Sequence, residues 1–310
     1  MSTLSLKPGD IVQIIAPAGK TAHSKEDLQK IEAFLKTWGL RTHWSNHIFG
    51  PNKPFPDLAN TDDKRFLDLK NAILDPKIKA IWCIRGGYGS ARLIPYLRNH
   101  VTSVPSPKLF IGFSDITLLH IYFHEKWQWK TLHASHAAAV AQSKTTKKDN
   151  ALLRQLMLGE IDTIDLPNLE PLNKVAQQNM TLQSVLVGGN LTLITRSLGS
   201  DFALKLQDKI VFIEEIEEPF RKIDGMLKQL IETGSKPRAV IFGNMITKNK
   251  NQKQLIQNAL EDFAHFMGNY QIPVLQSKKI GHGKYNQPLP LGTLSMLFLG
   301  KKPHLTINNI

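Results

Sequence analysis

The chain has 310 residues, with 39 Lys and Arg against 26 Asp and Glu and a formal net charge of +13. Hydrophobic residues at 42% and charged residues at 21% exclude wholesale disorder; 20 Gly, 17 Pro and one Cys exclude collagen-like, coiled-coil and disulfide-scaffold classes. The positive excess points to an anionic partner, whether nucleic acid, a membrane surface or an acidic small substrate.

The length suits two ordinary domains, or one large one. One cysteine cannot close an internal disulfide, which fits a reducing compartment. The segment Met1–Asp10 has no basic stretch followed by a long apolar run, and no 18-residue apolar run occurs anywhere. A cytoplasmic protein without signal peptide or membrane span is therefore expected.

In chain order, the apolar run 11–16 is broken by Pro17 and Gly19 and reads as a buried strand. Helical spacing of Leu28, Ile31, Phe34 and Leu35 predicts a helix over 24–38, with Ser24 as its N-cap. A strand at 40–44, a helix at 61–74 and strands at 79–84 and 108–112 follow. This alternation means βαβ units and a mainly parallel sheet. The polar stretch 143–150 reads as exposed, with a short helix at 151–158. Residues 163–181 lack periodicity and read as a connection between domains. Beyond them come strands at 184–187, 209–214, 238–243 and 272–275, with helices at 219–232 and 252–266. The expected domains are 1–165, a linker 166–182, and 183–310.

Four motifs could carry chemistry. Gly112-Phe113-Ser114-Asp115 follows an apolar strand and precedes a helix, the setting of a nucleophile elbow, although Ile116 breaks the full Gly-x-Ser-x-Gly pattern. Alone it better suits a helix cap by Ser114 or Asp115. Arg85-Gly86-Gly87-Tyr88-Gly89 also follows a strand and brings backbone N–H groups within reach of a ligand, as an anion nest, an oxyanion hole or a plain tight turn. Glu214, which ends the strand 209–214, is the first acid after its apolar run, placed either to orient a histidine or to serve as a solvated strand end. His282, between Gly281 and Gly283, sits on a loop, which makes a packed core histidine less expected and a catalytic one more so, without by itself deciding for catalysis. Cys83, inside a strand, reads as core. His120, His124, His133 and His136 lack the spacing and carboxylate of a metal site, so no metal is expected. Trp127 and Trp129 read as packing.

Taken together, these segments resemble the LD-carboxypeptidase family of serine peptidases over nearly the whole chain. Gly9-Asp10 with Ile14–Pro17, the Arg85–Gly89 loop, Gly112–Asp115, Gly188-Gly189-Asn190-Leu191, Ile213–Glu215 with Ile223-Asp224, and Gly281–Gly283 occur in the family's order. The resemblance implies an α/β architecture: a flavodoxin-like or amidotransferase-like N-terminal parallel-sheet domain and a smaller C-terminal α/β domain. The active site would lie in the cleft between them. It implies a Ser114–His282–Glu214 triad, with backbone N–H groups of Asp115, Gly86 and Gly87 holding the oxyanion and no cofactor. The implied substrate is a cytoplasmic muropeptide that loses terminal D-alanine in peptidoglycan recycling, and the implied assembly is a homodimer. Arg85 and Tyr88 are the candidates for substrate binding. Gly225 stands where the family usually has Arg, and Ala134-Ser135 where it often has Gly-Pro. Two alternatives are a microcin-immunity-type peptidase acting on a peptide–nucleotide conjugate and a basic nucleic-acid-binding protein. No helix-turn-helix, zinc-finger or ribonucleoprotein motif supports the latter. Many lysines lie away from every motif, so the charge is weak support for any partner.

Overall fold

The computed structural model describes residues 4–20, 24–50 and 55–310; Met1–Thr3 of the N-terminal segment lie outside them. The chain forms two compact units, Met1–Ile161 with Ile310, and Asp162–Asn309.

The first unit runs β1 (Ile11–Ile15), α1 (Lys25–Lys36), β2 (Arg41–Trp44), α2 (Asp62–Leu74), β3 (Ile78–Cys83), α3 (Ile94–His100), β4 (Leu109–Gly112), α4 (Thr117–Trp127), β5 (Thr131–His133), α5 (Ala137–Ala141) and α6 (Lys147–Leu158). Its strands are parallel, in the order β5-β4-β3-β1-β2. Parallel strands covered on both faces need continuous apolar runs. Accordingly, β4 is buried throughout, and Val12, Ile14, Ile15, Ile81 and Trp82 are inaccessible. The expected cap of α1 is a full capping box, in which the Ser24 hydroxyl accepts from Asp27 N–H and the Asp27 carboxylate accepts from Ser24 N–H. Helix α6 begins four residues before the expected start, because Thr146 caps it by accepting from Asp149 N–H at 3.0 Å. Trp127 and Trp129 pack against Phe123, as expected of core aromatics. The carboxyl ends of β1, β3, β4 and β5 deliver the segments 16–19, 84–90, 113–116 and 134–136 to one sheet edge, where open α/β sheets bind ligands.

The second unit runs β6 (Thr163–Leu166), β7 (Glu170–Pro171), β8 (Thr181–Asn190), α7 (Leu191–Ser197), β9 (Ile210–Ile216), α8 (Phe220–Glu232), β10 (Ala239–Ile246), α9 (Lys250–Gly268), β11 (Val274–Gln276), β12 (Leu289–Leu291), β13 (Thr293–Phe298) and β14 (His304–Asn308). Its eight-stranded sheet has the order β6-β14-β13-β8-β9-β10-β11-β7. Strands β8 to β11 are parallel, and the pairings outside them are antiparallel. Residues 163–181, expected as a connection, carry β6 and β7 and belong to this unit's sheet. Their apolar positions are too few for a visible period, yet Ile164, Leu166, Leu169, Val175 and Ala176 are all buried. Among the described residues, no helix is long and apolar enough to cross a membrane.

Candidate active site

Ser114 lies at the first turn after β4. Its φ is +64°, a left-handed conformation that costs a non-glycine residue of order 1–3 kcal/mol. The chain passes from extended Phe113 through Ser114 into a short 3₁₀ turn (Ser114–Ile116) and then α4. Gly112 permits this sharp reversal, because a Cβ there would stand 2.8 Å from Ile116 Cγ2. The helix-cap reading is not realised: neither the 3₁₀ turn nor α4 has a side-chain cap. The Asp115 carboxylate instead accepts the Ser90 N–H at 2.8 Å, and the Asp115 carbonyl accepts the Ser90 hydroxyl at 2.5 Å.

This pair of bonds ties the turn to the glycine-rich loop. Gly86 lies directly beside the serine: a Cβ on Gly86 would be 3.1 Å from Ser114 Cβ and 3.1 Å from His136 Cε1. Gly87 and Gly89 take φ of +98° and +126°, which glycine alone adopts without strain. The Gly86 carbonyl accepts from Gly19 N–H at 2.9 Å. Among the described residues, no hydrogen bond uses the Gly86 or Gly87 N–H. Arg85 and Tyr88 are exposed. Arg85 Nη1 donates to the Lys20 carbonyl at 2.8 Å, and the two side chains border a pocket of about 520 Å³ with Gly19, Lys20, Pro56, Asp57 and Gly87.

The second unit, by itself, pairs an acid with an imidazole. Glu214 is completely buried at the carboxyl end of β9. Its Oε2 accepts from His282 Nδ1 at 2.6 Å and from the His282 backbone N–H at 3.2 Å. A carboxylate only accepts, so Nδ1 carries the proton and Nε2 the lone pair. Burial disfavours the charged ring, but the hydrogen bond and charge of Glu214, with Glu215 behind it, outweigh burial and hold the His282 pKa above its ordinary value. The fit depends on glycine. A Cβ on Gly281 would stand 2.7 Å from Glu214 Cβ, and one on Gly243 would stand 2.9 Å from the Ile280 carbonyl. Asn286 Oδ1 accepts the Gly281 N–H at 3.1 Å and closes the loop.

Glu215, the next residue, faces the other way, as alternation on a strand demands. It accepts from Asn190 Nδ2, Ile216 N–H, Thr192 N–H and Thr192 Oγ1, all at 2.8–2.9 Å. Gly188 lets β8 approach β9, since a Cβ there would be 1.9 Å from the Phe212 carbonyl. Asn190 caps α7. The Gly188-Gly189-Asn190 motif thus builds the frame under Glu214.

His120 and His136 have structural partners. Burial pushes the His120 pKa down to about 4, against an opposing hydrogen bond to the Gly112 carbonyl at 2.9 Å, so its neutral Nε2–H donates to that oxygen. His136 packs on Phe113 with ring centroids 4.4 Å apart, and its Nε2 lies 3.2 Å from the Phe113 carbonyl. Among the described residues, no three His, Cys, Asp or Glu side chains converge as metal ligands. Cys83 is buried, and burial, with Asp115 nearby, raises its thiol pKa. Sequence reasoning missed Ser90 and His136 as partners of the serine turn, and Asn286 as a partner of the histidine loop. Only Ser90 carried a signal, as the residue closing the glycine loop.

Residues 12–134 match the LD-carboxypeptidase N-terminal domain, and residues 183–297 match the LD-carboxypeptidase C-terminal domain. A Rickettsia conorii protein that bears the name of a carboxypeptidase is 33% identical over 295 residues, covering 94% of this chain and 89% of that protein. The chain belongs to the LD-carboxypeptidase family. As a member it is a serine-type LD-carboxypeptidase. The murein tetrapeptide carboxypeptidase of Pseudomonas aeruginosa is 26% identical over 291 residues, covering 92% of each chain. The crystal structure of an MccF-like protein from Bacillus anthracis superposes with a TM-score of 0.81 at 21% identity, covering 100% of both chains. That likeness shows that members of the LD-carboxypeptidase family and MccF-like proteins share this two-part fold.

Proposed function

We propose that the protein hydrolyses the bond between an L-centre and a terminal D-alanine in muropeptides, through a triad of Ser114, His282 and Glu214. The observation that carries the reading is the 2.6 Å hydrogen bond from His282 Nδ1 to the buried Glu214 carboxylate. It sets the tautomer that a general base needs and stabilises the imidazolium formed when the ring takes a proton. His282 Nε2 removes the Ser114 proton, and Ser114 Oγ attacks the carbonyl before the terminal residue. Backbone N–H groups of Gly86, Gly87 and Asp115 hold the oxyanion; losing one such donor typically costs about 10²–10³ in rate. The imidazolium returns the proton to the leaving D-alanine amine. Water, activated by the same histidine, then releases the acyl group.

Arg85 and Tyr88, at the pocket beside this loop, are assigned to substrate binding, with the guanidinium suited to a carboxylate. In this reading the first unit brings the nucleophile and the second the acid and base. The work is placed in the cytoplasm, on recycled cell-wall peptides, in a homodimer.

The test is product analysis on a panel. An L-Ala-γ-D-Glu-meso-diaminopimelate-D-Ala tetrapeptide should lose D-alanine. A pentapeptide ending in D-Ala-D-Ala and an aminoacyl sulfamoyl nucleoside should not be cleaved. Preferential cleavage of the nucleoside would favour the microcin-immunity-type reading that the shared fold keeps in play.

A further inference from the structure

Arg65, on α2, is one of the largest fully buried side chains, at 2% exposure. Its donors are spread over several segments. Nη1 donates to the Gly89 carbonyl at 3.0 Å and to the Pro17 carbonyl, and Nε donates to the Asn60 carbonyl at 3.2 Å. Nη2 donates to Asp62 Oδ1 at 2.5 Å. Asp62 is fixed in turn by Arg92, whose Nε lies 2.9 Å from Oδ1 and whose Nη2 lies 2.6 Å from Oδ2.

Pro17 and Gly89 belong to the two segments that frame the glycine-rich loop. Gly19, two residues after Pro17, donates to the Gly86 carbonyl at 2.9 Å. Gly89 ends the loop, and a Cβ there would stand 3.1 Å from Arg65 Nη1 and 2.4 Å from Leu58 Cδ2. Ser90, the next residue, is held on both its N–H and its hydroxyl by Asp115. One guanidinium therefore grips the β1 side and the far end of the loop, while Asp115 grips the loop from the nucleophile turn.

A buried ion pair is a poor means of gaining stability, because hydrophobic groups of the same volume often serve as well or better. A planar fork of donors is, however, a good means of fixing carbonyl positions. We propose that Arg65 is a positioning residue for the reaction, holding the glycine-rich loop so that the Gly86 and Gly87 N–H groups meet the oxyanion beside Ser114. This inference rests on the assignment of Ser114 and the loop made under Proposed function. An oxyanion forms only on the way to and in the tetrahedral intermediate, not in the bound substrate, so a loosened loop lowers kcat and leaves KM nearly unchanged.

The experiment compares wild type, Ser114→Ala, Arg65→Lys and Asp62→Asn by D-alanine release from the tetrapeptide, with circular dichroism and melting as controls. Lysine keeps the charge and loses the fork. Folded Arg65→Lys should show kcat lower by about 10–100-fold with KM within about twofold. Asp62→Asn should show the same split at about 3–10-fold. A folded Arg65→Lys with wild-type kcat, or with raised KM at unchanged kcat, overturns the proposal. If Arg65→Lys does not fold, Asp62→Asn decides alone, and an unchanged kcat there overturns it. Release by Ser114→Ala at the wild-type rate would instead remove the underlying reading. An inactive Ser114→Ala beside a wild-type-like Arg65→Lys removes only the role of Arg65.

Discussion

His282 donates from Nδ1 to Glu214 Oε2 over 2.6 Å, and its own backbone N–H donates to the same oxygen at 3.2 Å. The carboxylate thus fixes both the ring and the loop that carries it. Because Glu214 is fully buried, the bond is shielded from competing water.

The first prediction concerns pH. A general base must be neutral, and Glu214 holds the His282 pKa above its ordinary value. The acid limb of kcat/KM should therefore fall at a pH above the usual histidine value of about 6.5. Glu214→Gln removes the charge, so the limb should move to lower pH while kcat falls by roughly 10³–10⁴-fold. The linked stability has the matching sign. A raised histidine pKa contributes stability that is fully present below the unfolded value and is lost as pH rises through the folded one. Melting temperatures across pH 5–8 should show this loss in wild type and less of it in Glu214→Gln.

Gly281→Ala is a steric probe of the same pair. The added Cβ would meet Glu214 Cβ at 2.7 Å and Oε2 at 3.0 Å, at a residue with φ of +91°. We expect destabilisation of about 1–3 kcal/mol from backbone strain, with kcat reduced beyond what the folded fraction explains. Urea titration beside steady-state kinetics separates the two effects.

Glu214 and Glu215 show what the sequence could and could not reveal. The apolar run into acids announced a strand ending in carboxylates, and alternation required the two to face apart. Which one meets a histidine 68 positions away is a tertiary fact; the family resemblance suggested it, but no local spacing could. The serine turn was more legible, because glycine, serine and a following helix are neighbours in the chain. Arg65 carried no signal, since it stands beside Asp62, Asp63 and Lys64 and nothing local marks it as buried. Strands β13 and β14 were missed because their alternation is short, and Leu294 and Met296 remain exposed on the outward face.

Glu215 should behave differently from its neighbour. Glu215→Ala removes the acceptor shared by Asn190 Nδ2, the Ile216 N–H and the Thr192 N–H and hydroxyl, and a buried donor left unsatisfied costs about 1–3 kcal/mol. The expected outcome is a marked fall in melting temperature. Glu214→Gln should melt near wild type at pH 8 while losing activity.

Gly188→Ala tests the frame. A Cβ 1.9 Å from the Phe212 carbonyl cannot be accommodated without separating β8 from β9. We expect a loss above about 4 kcal/mol, seen as insoluble or unfolded protein on expression. Soluble protein with native melting would show that the two strands can part without cost.

The central claim is that Ser114, in its strained turn beside Gly86, is the nucleophile. The most direct measurement is D-alanine release from the diaminopimelate tetrapeptide by wild type and by folded Ser114→Ala at equal concentration. Release by wild type, with a fall of about 10⁴-fold or more in the variant, is the predicted result. Equal release by both would contradict it.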